Sequence, residues 1–256
     1  MDNVVDLLAA DITHLRDLAI LAGGDPKVFY RGASLNGTNL CGQDLRGMEF
    51  TTLDQGNILV DENTELDPQY QDDFERLLAS SAASYVEQGD AHFGNGELAL
   101  AKEMYSKALH IFEEVGLAAD TARQYSNLSK VASRRGNLAE AVDLYVKALT
   151  LFEALGSKEG MANQYGNLGI VYKTRGDLAR AEEMYRKALT LNEELGRKEG
   201  MANQYGNLGI VYEKKGDMAA ACVHWRKARD LWQQIGNPGK VEKYEGWLRE
   251  ANCPGG

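Results

Sequence analysis

The chain has little of what builds disulfide frameworks and membrane spans. Its 256 residues include only three cysteines (Cys41, Cys222 and Cys253), an odd number placed far apart. This usage favours reduced thiols over a disulfide framework. No run approaches the roughly 18 apolar residues of a membrane-spanning helix, so we expect no membrane contact. Aspartates stand in the first twenty residues where an export signal needs positive charge, so we expect a cytoplasmic protein.

Sequence signals of catalysis are also scarce. The motifs GxxxxGK, HExxH and GxSxG do not occur. Gly94-Asn95-Gly96-x-x-Ala99 resembles a dinucleotide fingerprint only superficially, because no predicted strand precedes it. Cys222 and His224 are two residues apart on a predicted helix and face different ways, which makes them a poor metal pair. We therefore expect no enzymatic activity, no cofactor and no metal site.

Negative charge is concentrated in the first third of the chain. Residues 1–80 hold 15 acidic and 5 basic residues, whereas residues 81–256 hold 23 of each. This asymmetry indicates two segments of different character. A net charge of −10 also disfavours nucleic-acid binding, which needs basic residues to neutralise phosphates.

What the chain has in abundance is a repeat of forty residues. The fifteen letters KEGMANQYGNLGIVY occur at residues 158–172 and again at 198–212. A fixed period of about 20–50 residues indicates a stacked array. Apolar residues at steps of three and four predict paired helices, such as Met161–Thr174 and Leu178–Glu194. Gly156 and Gly196 stand where a left-handed residue ends a helix.

The repeat resembles the tetratricopeptide repeat, whose signature is an aromatic residue, Leu-Gly, Tyr, a turn Gly, Ala, a second aromatic residue and Ala. The third unit carries it at Tyr165, Leu168, Gly169, Tyr172, Gly176, Ala181, Tyr185 and Ala188. The forty-residue length is similar to that of repeats in kinesin light chains. The resemblance implies a mainly α fold, a right-handed superhelical α-solenoid of antiparallel helix pairs. Four repeats would span 82–237. An acidic linker and the start of the first array helix would precede them over 61–81, and a capping helix and tail would follow over 238–256.

The first sixty residues follow other patterns. Residues 1–24 have the apolar spacing of a helix. Within 25–60, Leu35, Leu40, Leu45 and Phe50 recur every five residues, which resembles the pentapeptide-repeat family. In that family the central Leu or Phe points into a right-handed β-helix, and this stretch would make about one turn. The alternative is a polar, turn-rich linker with leucines at chance spacing.

The tetratricopeptide resemblance implies a peptide-binding groove lined by the first helix of each unit. The groove candidates are Arg123, Asn127, Lys130 and Arg134 in the second unit, Asn163, Asn167, Ile170 and Lys173 in the third, and Asn203, Asn207, Ile210 and Lys214 in the fourth. An amide both donates and accepts, so the ladder of asparagines at 127, 167 and 207 can pair with the backbone of an extended peptide. Alternatively, these asparagines tie neighbouring helices together or face water.

The basic candidates bias the predicted groove towards acidic peptides. They also suit the C-terminal ends of helices, where cations are favoured by the helix dipole, so this bias has a structural alternative. The acidic residues 61–75 are one candidate occupant within the chain itself.

We expect a bacterial interaction scaffold that holds a peptide or helix of a partner protein without catalysis. One alternative is a structural protein that self-associates through the groove. Another is an acidic pentapeptide-repeat mimic of DNA that inhibits topoisomerases, which the shortness of the stretch disfavours. An enzyme with an unrecognised site is a further alternative.

Overall fold

The computed structural model of the chain describes residues 40–46, 64–65 and 71–253. The helix predicted over 1–24 and most of the stretch 25–60 lie outside these residues. The chain divides into two compact units, Met1–Leu117 and Ala118–Gly256.

The first unit contains two packed helices in its described part, α1 (Gln71–Asn95) and α2 (Leu98–Glu114). They approach closely because α1 has a glycine opposite a ring of α2. A Cβ added at Gly89 would lie 2.6 Å from Cε1 of Tyr105. The Tyr105 hydroxyl donates a hydrogen bond of 2.6 Å to Asp90, which fixes the ring in this position.

Two short fragments precede these helices. Asp44 and Glu65 form an isolated parallel bridge, and the hydroxyl of Thr64 donates to the carbonyl of Leu40 at 2.9 Å. Leu40 and Leu45, five residues apart, are both buried. No strand is present in the residues that the structure describes, so the predicted β-helix turn has no support there.

The second unit consists of consecutive packed helices. They are α3 (Ala118–Arg134), α4 (Leu138–Ala154), α5 (Lys158–Thr174), α6 (Leu178–Glu194), α7 (Lys198–Lys214), α8 (Met218–Ile235) and α9 (Pro238–Glu250). Each helix packs on the next one along the chain. Because the connections are short, successive helices are antiparallel, and α3, α5 and α7 run in the same direction. This mainly helical arrangement agrees with the predicted α-solenoid.

The helix boundaries follow local capping signals. α6 has the predicted bounds, and its N-cap Asp177 accepts a hydrogen bond from the backbone N–H of Arg180. α5 begins three residues earlier than predicted because Ser157 caps it and accepts from the N–H of Gly160 at 3.2 Å. Gly156 and Gly196 have φ of 63° and 64°, which confirms the predicted left-handed residues.

Small residues against rings set the packing between helices. Ala181, Tyr185 and Ala188 of α6 are completely buried. A Cβ at Gly169 of α5 would lie 2.5 Å from Cε1 of Tyr185, so only glycine permits this contact. Losing such a ring from a core costs about 3–5 kcal/mol. The alternation of small and large residues in the repeat is therefore a packing requirement.

The predicted capping helix is present as α9. Tyr244 and Leu248 are buried and Trp247 packs beside them. Their partners include Trp225 and Trp232 of α8. This cluster seals the last repeat against water.

The prediction of reduced thiols at Cys222 and Cys253 was wrong. These residues form a disulfide, with Cα atoms 5.7 Å apart. The two cysteines are 31 residues apart in the sequence, so their spacing did not indicate that they pair. α9 folds back onto α8, and this return of the chain brings Cys253 to the buried Cys222.

Candidate functional site: the first-helix face

Equivalent residues of the third and fourth units lie in rows because α5 and α7 run parallel and contact each other directly. Their first fifteen residues are identical, so each row repeats the same side chain. We call the twelve predicted groove residues on α3, α5 and α7 the first-helix face. Seven are exposed and five half-buried, the latter being Asn127, Asn167, Lys173, Asn207 and Ile210. These side chains are thus available at the surface of the second unit.

The asparagine ladder is not uniform. The Asn127 amide donates to Gln124 at 3.3 Å, and its oxygen accepts from Lys130 at 3.1 Å. Within residues 71–253, the amides of Asn167 and Asn207 have no hydrogen-bond partner. The same holds for the exposed Asn163 and Asn203 over that range. The third and fourth units therefore keep hydrogen-bonding groups that the fold does not use.

Ile170 and Ile210 lie one helical turn beyond this asparagine row. Ile170 is 43% exposed, which is high for a large apolar side chain, and Ile210 is half-buried. An apolar side chain beside an unused amide offers a partner both contact area and a hydrogen bond.

The cations of the face differ in their surroundings. Arg123 of α3 forms an ion pair with Asp120, one turn away. Burial lowers the pKa of the Lys173 ammonium, and the nearby Lys214 lowers it further. Within the described chain, neither Lys173 nor Lys214 has a carboxylate partner. Two neighbouring ammonium groups without a counter-ion favour the approach of an anion.

A different set of charges, between α6 and α7, is fully engaged. The Glu182 carboxylate accepts hydrogen bonds from Arg186, Tyr212 and Lys215. Burial opposes its ionisation, but the hydrogen bonds from Lys215, Tyr212 and Arg186 prevail and lower the pKa of Glu182 to about 2. This cluster joins two successive units and has a structural role.

Tyrosines of the first helices pair with lysines of the second helices in every unit. The lysine ammonium lies 5.1–5.6 Å from the ring centroid in the pairs Tyr85–Lys107, Tyr125–Lys147, Tyr165–Lys187 and Tyr205–Lys227. Sequence analysis missed these pairs, although their constant separation of 22 residues is a readable signal. Such contacts contribute about 0.5–1 kcal/mol each at exposed sites.

A buried glutamine row was also missed. Gln124, Gln164 and Gln204 are all buried at the forty-residue period. Oε1 of Gln164 lies 2.9 Å from the hydroxyl of Ser126, whereas Oε1 of Gln204 is buried without a partner. Gly166 occupies the position equivalent to Ser126, so the missing hydroxyl explains the difference.

The histidine of the second unit, His224, packs between neighbouring helices. His224 stacks on Tyr212 with ring centroids 4.9 Å apart, and its Nδ1 donates to the carbonyl of Ala220 at 2.8 Å. Burial lowers its pKa. Among the described residues, no group of His, Cys, Asp and Glu has metal-binding geometry. None of the described helices is long and apolar enough to cross a bilayer.

Comparisons with known proteins agree with the repeat pattern. The tetratricopeptide repeat profile matches residues 80–154 and 120–194. No curated protein sequence matches the chain. Among solved structures, BtubC (BKLC) from P. vanneervenii is similar over 72% of this chain and 84% of that protein, with 20% identity and a TM-score of 0.56.

Two further solved structures have a similar fold. The apo form of RapI matches with 17% identity and a TM-score of 0.62, over 66% of this chain and 62% of its own length. Aspartyl phosphate phosphatase F from Bacillus subtilis matches with 14% identity and a TM-score of 0.62, over 67% of this chain. The similarity spans 48% of that phosphatase, and at such identities it concerns the fold alone.

Proposed function

Because residues 80–194 belong to the tetratricopeptide repeat family, we propose that the chain is a scaffold that holds a segment of a partner protein on its first-helix face, without catalysis. In this proposal the array follows a right-handed superhelix with the first-helix face inside. The bound segment belongs to another protein.

One observation carries the proposal: two neighbouring helices with the same first fifteen residues present the same unused amides. Over residues 71–253, Asn167 and Asn207 have no side-chain hydrogen bond, and the exposed Ile170 and the half-buried Ile210 lie beside them. By contrast, the tyrosine and lysine pairs and the Glu182 cluster are engaged within the fold. A surface amide without an intramolecular partner can exchange its hydrogen bond to water for one to an incoming peptide backbone.

Photo-crosslinking tests the location of the binding surface. A photoreactive phenylalanine analogue would replace Ile170 on the first-helix face, or Val146 on α4 as a matched control. Val146 is 46% exposed, close to the value for Ile170. In lysate from the source cells, we expect a discrete crosslinked protein from position 170 and none from position 146.

Two other crosslinking results have clear meanings. The same product from both positions, or from 146 alone, would contradict the proposal and move the contact to the second helices. A product containing two copies of the chain would instead favour self-association through this face. A triple variant, Asn127→Ala, Asn167→Ala and Asn207→Ala, should lose the partner while keeping the wild-type helicity by circular dichroism.

A further inference from the structure

The last helix, α9, lacks a partner that the earlier first helices have. Each earlier first helix is followed by a second helix that packs on it, whereas no helix follows α9 within residues 71–253. Its outer surface is charged, with Glu242, Lys243, Glu245 and Arg249 exposed. Over the same range, no ion pair joins α9 to another helix. Side-chain packing and the disulfide therefore hold α9 on the array.

The disulfide lies at a junction where an ionic cluster lies one unit earlier. Cys222 of α8 comes forty residues after Glu182 of α6. Glu182 joins α6 to the next first helix through Tyr212 and Lys215. Cys222 joins α8 to the end of α9 through Cys253. A disulfide can be broken and remade by thiol exchange, so of these two junctions only the one to α9 can respond to redox conditions.

The two sulfur atoms of the disulfide differ in their surroundings. Cys222 is 3% exposed, whereas Cys253 is half-buried. Cys253 follows α9 in a turn where Asn252 has a φ of 48° and the N–H of Cys253 donates to the carbonyl of Leu248 at 2.9 Å. We therefore expect an incoming thiolate to attack the sulfur of Cys253 and to displace that of Cys222.

α9 covers an aromatic surface of α8. Trp225 and Trp232 of α8 are 2% and 3% exposed, and the ring centroid of Trp247 on α9 lies 5.4 Å from that of Trp225. Tyr244 and Leu248 of α9 are buried in the same cluster. These three tryptophans are all that the chain contains, so its tryptophan fluorescence reports on this junction alone.

We propose that the Cys222–Cys253 disulfide is a redox-operated latch, which holds α9 on α8 until a dithiol reductant opens it. One thiolate of the reductant bonds to the Cys253 sulfur, and Cys222 leaves as a thiolate. The second thiol of the reductant attacks the reductant's sulfur in the mixed disulfide and releases Cys253. The dithiol thus supplies two electrons and becomes a disulfide, and its two protons pass to the cysteines. α9 then undocks and uncovers Trp225 and Trp232.

Release follows reduction because α9 is short. Isolated helices of fewer than about 12–15 residues are marginal in water, and α9 has 13 residues. The disulfide closes a segment of 31 residues. A cross-link of this kind favours the closed state by about 30-fold or more. The latch lies outside the first-helix face, so it can fail without affecting the proposed function.

Hydrogen exchange and tryptophan fluorescence test the latch in the full chain. A Cys41→Ser background leaves only the paired cysteines, and dithiothreitol is added without denaturant. We expect alkylation to add two groups, and the amides of α9 to exchange at least about 30-fold faster than in the oxidised chain. Amides of α5 should stay protected by at least about a hundredfold. The tryptophan emission maximum should move to longer wavelength, and reoxidation should reverse these changes.

Three results would overturn the latch. Resistance of the disulfide to dithiothreitol until the chain is denatured would make it a permanent cross-link. Unchanged exchange in α9 after reduction would show that packing alone holds the helix. Loss of protection in α5 together with α9 would show that the disulfide stabilises the whole array.

The variant Cys253→Ser separates loss of the disulfide from other effects of the reductant. Its α9 should exchange as fast as that of the reduced chain, both with and without dithiothreitol. Exchange as slow as in the oxidised chain would also overturn the latch.

Discussion

Replacing Gly166 by serine should stabilise the protein. Gly166 lies on α5 beside the buried Gln204, whose Oε1 has no hydrogen-bond partner. A Cβ at Gly166 would lie 3.6 Å from this oxygen and 3.2 Å from Nε2 of the same amide. One unit earlier, Ser126 holds the equivalent position, and its hydroxyl lies 2.9 Å from Gln164. The substitution therefore reproduces a contact that the array already contains.

The expected gain combines two terms. Serine has a better helix propensity than glycine by about 0.5 kcal/mol. A new buried hydrogen bond to Oε1 contributes about 1 kcal/mol. The contact of 3.2 Å to Nε2 requires the flexible end of Gln204 to shift by a few tenths of an ångström, which subtracts a smaller amount. We expect Gly166→Ser to raise the unfolding free energy by about 1 kcal/mol, or the midpoint by about 2–4 °C.

Two companion variants separate the terms. Gly166→Ala supplies the Cβ and the higher helix propensity but no hydroxyl. Gly206→Ser makes the same change within an identical stretch of sequence, on α7. There the added Cβ would clash with the Tyr244 hydroxyl oxygen, and the buried ring would have to move to remove the clash. Overpacking of this kind costs about 1–3 kcal/mol, so the two serine variants should shift stability in opposite directions.

Urea and thermal unfolding followed by circular dichroism at 222 nm provide the measurement. The critical comparison is serine with alanine at position 166. From helix propensity alone, the alanine variant should have the higher unfolding free energy by about 0.5 kcal/mol. If the serine hydroxyl forms the hydrogen bond, the serine variant should have the higher unfolding free energy. If alanine is the more stable by that margin, the hydroxyl forms no bond to Gln204 and the reasoning fails. Equal effects at 166 and 206 would refute the difference between the two environments.

Further predictions concern the Glu182 cluster and the disulfide. The pKa of Glu182, about 2 in the fold against 4.5 in the unfolded chain, gives stability that is present above pH 4.5 and lost as the pH falls towards 2. Glu182→Gln should lower the unfolding free energy by about 1–2 kcal/mol at neutral pH. In urea unfolding, the variant should also lose less stability than the wild type between pH 4.5 and 2. The same loss in both proteins would contradict the role assigned to Glu182. Cys253→Ser should cost about 2–4 kcal/mol. Thiol titration of the denatured, unreduced chain should find one thiol, and three would disprove the disulfide.

The helical part of the fold could be predicted because each unit repeats strong local signals. The bounds of α6 were predicted from the turn glycine and from apolar steps of three and four, and the N-cap Asp177 agrees with them. The start of α5 was not, since Lys158 is exposed, the buried Gly160 has no apolar side chain, and only the Ser157 cap marks the boundary. Periodicity locates the buried part of a helix, whereas its first turn depends on capping.

Features that join distant residues could not be predicted. The Cys222–Cys253 disulfide depends on how α9 returns onto α8, which no spacing of cysteines encodes. The identical stretches of α5 and α7 also differ in what they contact, because Gly166 faces a glutamine and Gly206 faces the ring of Tyr244. A repeated sequence predicts a repeated helix but not its neighbours in the array.

The first-helix face allows a last prediction in which stability and binding change in opposite directions. In the described part of the chain, the side chains of Asn167 and Asn207 make no hydrogen bond, and alanine is the better helix former by about 0.6 kcal/mol at each position. The double variant Asn167→Ala and Asn207→Ala should therefore be more stable to urea by about 1 kcal/mol while binding the crosslinked partner protein at least tenfold more weakly. If the variant is less stable, the amides tie neighbouring helices together and need no ligand to explain them. If it gains stability and binds equally well, the amides simply face water.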